Sequence, residues 1–482
     1  MNAITRREFV KGLAAGAAVA ATSAMFPRSL LAAEEPAAGR KPNILLIYID
    51  DLGWKDVAFM GSKYYETPNI DRLASQGVVF MQAYSNGPSC APSRACLMSG
   101  QYGPRHGVYK VGKADVGPKN KQKLIPTPNT ETLRPDIVSM AEALKAAGYI
   151  TAHMGKWHLG NDPELGPHSQ GLDINLGGTS AGQPKSYFSP YRNPTFSDGP
   201  EGEYLTDRLT DEAARFLEAN KDKPFFLYLP HFAVHVPLQA KKDMMAKYEK
   251  KAPDGEQKNA TYAAMIESTD QGVGRLMQKL DDLKIADRTI VIFYSDNGGQ
   301  LGITEQKPLR AGKGYLYEGG IRVPMIVRWP GITKAGRTCQ TPVMGIDLYP
   351  TFLEAAGAKA PENQILDGES LVPVLRGNTE KMNRRYMFWH FPCYQPGRGE
   401  YRITPSSVIR EGDWKLTEHF EDGRLELYNL ADDISEKNDL AANEAERVKS
   451  MKAALDAWHK AVGAKIPTAK NPKYDPDAPY TN

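Results

Sequence analysis

Two apolar runs that each stop at an acidic pair constrain the fold of this 482-residue chain more than any other feature. Ile44-Leu45-Leu46-Ile47-Tyr48-Ile49, preceded by Asn43, is apolar throughout instead of alternating. That is the pattern of a strand covered on both faces in a parallel sheet. It ends in Asp50-Asp51-Leu52-Gly53, and a second run, Thr289 to Ser295, ends in Asp296-Asn297-Gly298-Gly299. Open α/β sheets bind ligands beyond the C-terminal ends of their strands. One acidic turn there is equally compatible with a solvated loop, whereas two converging on one edge form an oxygen-rich site of the kind calcium or magnesium takes.

Helix and strand signals alternate along the rest of the first 377 residues. Thr67-Pro68 reads as an N-capped helix start, and Val78 to Tyr84 as a strand leading through Ser85-Asn86-Gly87-Pro88 into a helical pattern at Cys90. A helix over Val138 to Ala147, closed by Gly148, precedes a strand from Tyr149 to Met154 that delivers Gly155-Lys156-Trp157-His158. Asn161 to Gly202 has little periodicity and many Gly, Pro, Ser and Tyr residues, which predicts loops covering the site. Next come a helix from Leu205 to Asn220, a strand from Phe225 to Leu229 with His231 and His235 beyond it, and a helix from Ala260 to Leu283. A strand from Val323 to Trp329 and a helix from Asp347 to Ala356 follow. The pattern predicts an α/β fold, a large mixed and mostly parallel sheet sandwiched by helices, over residues 41–377. Short strands at Phe388 to Phe391, Ser407 to Arg410, Trp414 to Thr417 and Leu425 to Leu427, then an amphipathic helix from Glu444 to Val462, predict a smaller α+β domain over 378–482.

The N-terminus, Thr5-Arg6-Arg7-Glu8-Phe9-Val10-Lys11 followed by a Gly/Ala-rich run to Ala24, resembles a twin-arginine export signal. The run is too short and too rich in small residues to span a bilayer securely. Cleavage after Ala24 or after Ala33 fits, and the expected location is periplasmic or extracellular. Loss of residues 1–33 removes Arg6, Arg7, Lys11 and Arg28 against Glu8, taking the formal charge from +3 to 0. Affinity for an anion must then be local. No basic block interleaved with aromatics points to nucleic acid. Four cysteines (Cys90, Cys96, Cys339, Cys393) are too few for a disulfide scaffold, and a Cys339 to Cys393 bridge is one open pairing.

Cys90 sits where a helix start and Arg94, one turn on, both favour negative charge. Cys90-Ala91-Pro92-Ser93-Arg94, with Leu97-Met98-Ser99-Gly100-Gln101-Tyr102 and Arg105-His106-Gly107, resembles the signature of the type I sulfatases of the alkaline-phosphatase superfamily. The later motifs keep that family's order, through Gly312-Lys313-Gly314 and Gly319-Gly320-Ile321-Arg322-Val323-Pro324 to Gly412-Asp413-Trp414-Lys415-Leu416. The resemblance implies that a maturase converts Cys90 to formylglycine, whose hydrate is the nucleophile, and that Asp50, Asp51, Asp296 and Asn297, together with the converted Cys90, bind calcium. It further implies that Arg94 and Lys156 stabilise the oxyanion, that Lys313 binds the sulfate and helps the leaving oxygen, that His158 takes the proton when sulfate is expelled, and that His235 assists the departing alcohol. Asp296 is the expected base. A sulfate monoester repels an anionic nucleophile, so a site rich in fixed cations suits it. His106, His153, His231, Trp157 and Arg322 are read as structural.

Three other readings compete: a phosphate or phosphonate ester hydrolase of the same superfamily, an unmodified protein that binds sulfated glycans, and a plain cysteine hydrolase. The last lacks a His/Asn partner pattern and leaves the acidic pairs unexplained. Export, together with loops Asn161 to Gly202 and the aromatic, basic segment Trp389 to Arg402, points to sulfated carbohydrate as substrate, with exo action on polysaccharide fragments.

Overall fold

The computed structural model describes residues 40–480. The export signal read over residues 1–33 lies outside them. The first apolar run forms β1 (Asn43–Ile49), buried along its whole length near the middle of a nine-stranded sheet. The other strands of that sheet are β2 (Val78–Tyr84), β3 (Ile150–Met154), β4 (Ile174–Leu176), β5 (Phe225–Pro230), β6 (Thr289–Ser295), β7 (Arg322–Arg328), β8 (Arg337–Cys339) and β9 (Val343–Met344). Their order is β4-β3-β5-β1-β6-β7-β2-β8, with β9 also on β2. All pairings are parallel except those of β7, which runs antiparallel to β6 and to β2. The sheet is mixed and mostly parallel, as its sequence pattern predicts.

Burial on both faces explains the unbroken apolar runs, because successive side chains of a strand point to opposite faces. Leu45, Ile47 and Ile49 enter one core with helix α1 (Pro68–Gln76) and the helices Leu205–Ala219 and Ala260–Asp282. Ile44, Leu46 and Tyr48 enter the other with helix α2 (Cys90–Ser99) and the helices Met140–Ala146 and Leu348–Ala356. Ser139 caps its helix reciprocally with Glu142, accepting from the Glu142 amide at 3.1 Å while the Glu142 carboxylate accepts from the Ser139 amide at 2.7 Å. Thr67 does not cap α1 as expected. Its hydroxyl accepts from the Ala58 amide and donates to Asp71, tying the preceding turn to the helix instead.

A four-stranded antiparallel sheet makes up the C-terminal part. It is ordered β10-β13-β14-β15, from β10 (Tyr386–Phe391), β13 (Ser406–Glu411), β14 (Trp414–His419) and β15 (Leu425–Asn429). Between β10 and β13 a short hairpin, β11 (Gln395–Pro396) and β12 (Tyr401–Ile403), carries no alternation that would have predicted strands. The helix Ala445–Val462 lays Met451, Leu455 and Trp458 on the sheet, and Trp458 stacks on Phe388 at 4.5 Å. Tyr84, Cys96, Tyr102 and Ile321 share that core with Phe388, Trp389 and Leu416, so the two sheets are joined through a common apolar cluster. Lys415 of β14, fully buried, bridges Glu318 at 3.0 Å and Glu436 at 2.8 Å.

The Cys339 to Cys393 bridge does not form, and all four cysteines are free. Cys339 closes β8 inside the core of the large sheet, whereas Cys393 lies in the C-terminal core with its thiol directed at the Thr127 carbonyl. Among the described residues no helix is long and apolar enough to cross a membrane.

Candidate active site

Parallel pairing in register brings the acidic strand ends together. Ile49 of β1 faces Ser295 of β6, so Asp50 and Asp296 emerge side by side. The Asp296 amide donates to the Ile49 carbonyl at 3.0 Å, and the Asp51 amide donates to Asp296 Oδ1 at 3.0 Å. Asp51 itself has φ 63°, a left-handed conformation uncommon outside glycine that is found disproportionately at functional sites. At the end of β3, Gly155 (φ 135°) passes so close to β5 that a Cβ would stand 1.9 Å from the Pro230 carbonyl oxygen. Only glycine fits, and the contact sets Lys156, whose amide donates to that same oxygen at 2.7 Å.

Cys90, the first residue of α2, is buried with its sulfur 3.8 Å from Asp51 Oδ1. Asp50, Asp51, Asp296 and Cys90 each offer a ligand atom within 4.8 Å of the others. Asn297 donates to Asp51 Oδ1 at 2.8 Å. Three cations interlock with the carboxylates: Lys156 with Asp50 at 2.7 Å, Lys313 with Asp51 at 2.7 Å, and Arg94 with Asp296 at 2.8 Å. Arg94 also donates to the Lys156 carbonyl and lies over the Tyr48 ring. The Lys313 loop is stitched down on both sides, the Lys313 amide to the Gly299 carbonyl and the Gly314 amide to Pro88 beside Cys90.

A cation fits this cluster. Asp50 Oδ1 and Asn297 Oδ1 are buried and have no hydrogen-bond donor, a costly arrangement for hard oxygen atoms unless an ion meets them. Burial pushes the Asp296 carboxyl up to about 7, with the Asp50 charge adding to it. Asp51 goes the other way, because Lys313, then His235, outweigh its burial. Burial alone would raise the Cys90 thiol, but Lys156 and Lys313 bring it down to about 6.

The pocket above Cys90 has a volume of about 390 Å³ and is lined by Ser89, Val111, His158, Gln183, His235, Lys313 and Arg402, among others. His235 donates from Nδ1 to the Val236 carbonyl at 2.9 Å and turns Nε2 towards Asp51 Oδ2 at 3.6 Å. Burial would lower its pKa, but Asp51 and Asp50 raise it to about 9. His158, at φ 66°, is held well below its ordinary value by burial and by Lys156. Its amide donates to the Thr179 carbonyl, and the Gly182 backbone lies against its ring, so the segment 161–202 does approach the site.

All ten residues expected from the sequence therefore gather in one cluster or its pocket. Of those read as structural, His231 is buried with no partner for its Nδ1, and the others have ordinary partners. His106 bonds Cys96 and the Val108 amide, His153 bonds Asn175, and Arg322 donates to the Met81 carbonyl. Sequence reasoning did not single out Val111, Gln183, Gln395 or Arg402, although the last three fall in the two segments expected to shape a pocket.

The sulfatase family profile matches residues 42–358, and the profile of the N-sulphoglucosamine sulphohydrolase C-terminal region matches 311–461. A sulfatase of Formosa agariphila is 39% identical over 477 residues, covering 84% of this chain and 85% of that protein. The N-acetylgalactosamine-6-sulfatase of Canis lupus familiaris is 33% identical, over 73% of this chain and 69% of its own length. Among solved structures, Ps i-CgsB superposes with a TM-score of 0.73 at 35% identity, covering 87% of this chain and 93% of that one. With the ordered cluster at the strand ends and matches of this extent, the chain belongs to the sulfatase family, with the fold of the alkaline-phosphatase superfamily, and is a sulfuric ester hydrolase.

Proposed function

We propose that the protein hydrolyses sulfate monoesters of carbohydrates, with Cys90 converted to formylglycine and one calcium ion held by Asp50, Asp51, Asp296 and Asn297. The observation that carries this reading is the contact of Cys90 with Asp51, inside a quartet of ligand atoms and at the floor of a pocket that also presents Lys313, His158 and His235. Relatives named for sugar sulfates support the substrate class, and a solved relative in complex with D-glucosamine-2-N,6-O-disulfate has the same fold. That relative is 24% identical and bears on the fold alone, so the substrate argument rests on the first kind.

When present, the hydrated aldehyde supplies a hydroxyl nucleophile and a second hydroxyl that lets sulfate leave, and calcium supplies charge neutralisation. The chain's own groups do the rest. Lys313 lies at the pocket wall and binds the ester's sulfate oxygens, while Lys156 and Arg94, beneath, hold Asp50 and Asp296 in place and add positive potential at the nucleophile. His235, whose Nδ1 proton is fixed on Val236, gives a proton to the departing alcohol oxygen. His158, held uncharged in the same pocket, takes a proton as sulfate is expelled. Asp296 is the base for the nucleophile, and the tight Arg94 pair orients it. The paired arginines at Arg6-Arg7 support export before action on an extracellular polymer, and cytoplasmic conversion of Cys90 before export.

Mass spectrometry of the Cys90 peptide tests the conversion, which lowers the mass by about 18 Da as sulfur and two hydrogens give way to one oxygen. Turnover of sulfated sugars, aryl sulfate and aryl phosphate by the converted protein tests the reaction. Faster phosphate than sulfate hydrolysis, or an unconverted cysteine in active protein, overturns the reading.

A further inference from the structure

We infer that Arg402 reads a second anionic group of the substrate, a sulfate or a carboxylate next to the sulfate that is removed, so that the pocket selects doubly charged sugars over singly sulfated ones. This deepens the carbohydrate sulfatase reading and rests on it.

The other cations of the site are already matched. Lys156, Lys313 and Arg94 each hold a carboxylate within 2.8 Å. Among the described residues Arg402, on β12, is the cation lining the pocket whose guanidinium has no carboxylate within ion-pair distance and no hydrogen-bond acceptor. The side chain is nonetheless half-buried and seated in a slot made by two glycines. A Cβ at Gly314 would stand 3.3 Å from Arg402 Cδ and 3.7 Å from Nη1, and a Cβ at Gly397 only 2.8 Å from Cγ. Gly314, at φ 88°, is the residue after Lys313, so the guanidinium stands beside the sulfate position and not on it. Its guanidinium nitrogens carry no protein acceptor and keep contact with solvent, so their donors are open to an arriving anion. Its planar fork matches sulfate and carboxylate alike. Gln183 and Gln395 line the same pocket with amides suited to sugar hydroxyls, and Val111, 37% exposed, offers an apolar surface to a ring face.

The test uses full-length, calcium-supplied protein and two readouts. Cys90→Ala, which cannot turn over, is titrated by calorimetry with N-acetylgalactosamine 6-sulfate, with the 4,6-disulfate, and with the disaccharide that joins glucuronate to the 6-sulfated sugar. Converted wild type is assayed for turnover on the same compounds. One or both dianions should bind at least about tenfold tighter than the monosulfate, the lower bound for a charge-assisted hydrogen bond. Arg402→Ala should collapse that ratio, and Arg402→Lys should keep part of it. A gain for the disulfate alone identifies a second sulfate, and a gain for the disaccharide alone a carboxylate. Equal affinities, no binding by any of the three, or a ratio untouched by Arg402→Ala overturns the inference. Selective binding without turnover by converted protein would instead count against the sulfatase reading, so the two fail separately.

Discussion

Lys313 Nζ lies 2.7 Å from Asp51 Oδ2, joining a loop after β6 to the carboxylate that touches Cys90. The pair is nearly closed to solvent, with side-chain exposures of 14% for Lys313 and 3% for Asp51. Burial would lower the Lys313 pKa, yet Asp51 and Cys90 raise it, so the ammonium keeps its charge throughout the physiological range. A fixed charge there meets the sulfate in the ground state and still more in the transition state. Lys313→Ala should therefore lower kcat/KM on sulfate esters by about 10²-fold or more, the size of effect seen when a fixed electrostatic donor is removed. Steady-state kinetics, with circular dichroism to establish folding, decides it. A loss below threefold would remove Lys313 from the machinery.

Chelation is the second test. Three carboxylates offer ligand atoms within 4.8 Å of one another, and although Lys156, Lys313 and Arg94 offset their repulsion, Asp50 Oδ1 and Asn297 Oδ1 are left without a donor. Treatment with a calcium chelator should lower the melting temperature and abolish turnover, and added calcium should restore both. Asn297→Ala removes a neutral oxygen ligand without changing charge, and should weaken calcium binding by at least about tenfold, as loss of one ligand or its support does elsewhere. Melting curves against calcium concentration report it.

Protonation of two buried groups should act on stability with opposite signs. Burial, aided by Arg134, holds His106 down at about 3, and its Nδ1 accepts from the Val108 amide. Its contribution is complete above pH about 6.5 and is lost as pH falls towards 3. Glu436 is raised to about 7, by burial and by the neighbouring Glu318. Its contribution is complete below about 4.5 and is lost as pH rises through 7. The stability advantage of wild type over His106→Gln should thus shrink with falling pH by about 1.4 kcal/mol per unit below 6.5, and that over Glu436→Gln should shrink with rising pH. Urea unfolding at intervals from pH 5 to 8 measures both. Parallel curves for wild type and variants would refute the assignment.

The bridge from Lys415 to Glu318 and Glu436 joins the C-terminal sheet to the helix preceding β7. Lys415→Met should strand two buried carboxylates and destabilise the protein by about 3–5 kcal/mol, whereas Lys415→Arg should cost less. Because Glu436 also accepts Arg310 through its carbonyl, and Arg310 precedes Lys313 by three residues, the same variant should reduce turnover before it unfolds the chain. Unchanged denaturation midpoints would show that the bridge carries no weight.

Much of the architecture could be read from local pattern. β1 and β6 are unmistakable because both faces are buried, which leaves no polar position inside the run, and the in-register parallel pairing then carries Asp50 and Asp296 to one edge. The reversed direction of β7 was not legible, since its residues are as apolar as those of a parallel neighbour. Nor were β4 and the β11 and β12 hairpin, which are too short for a period to show. The open Cys339 and Cys393 pairing turned on distance alone, and the fold places the two thiols in different cores.

By itself the sequence determined that the acidic strand ends would meet, because residues there inherit their position from a regular, short-range pattern of burial, while the other site residues followed from the resemblance to the sulfatases. Only the tertiary structure decided who partners whom within that cluster and what forms the pocket wall. Arg402 and Gln395 come from a hairpin too short to show a period and Gln183 and Val111 from loops, far apart in the chain, and they are brought together by the docking of one sheet against another. Which cations are already matched, and which one is left facing the pocket, is a property of that packing and not of any local stretch of residues.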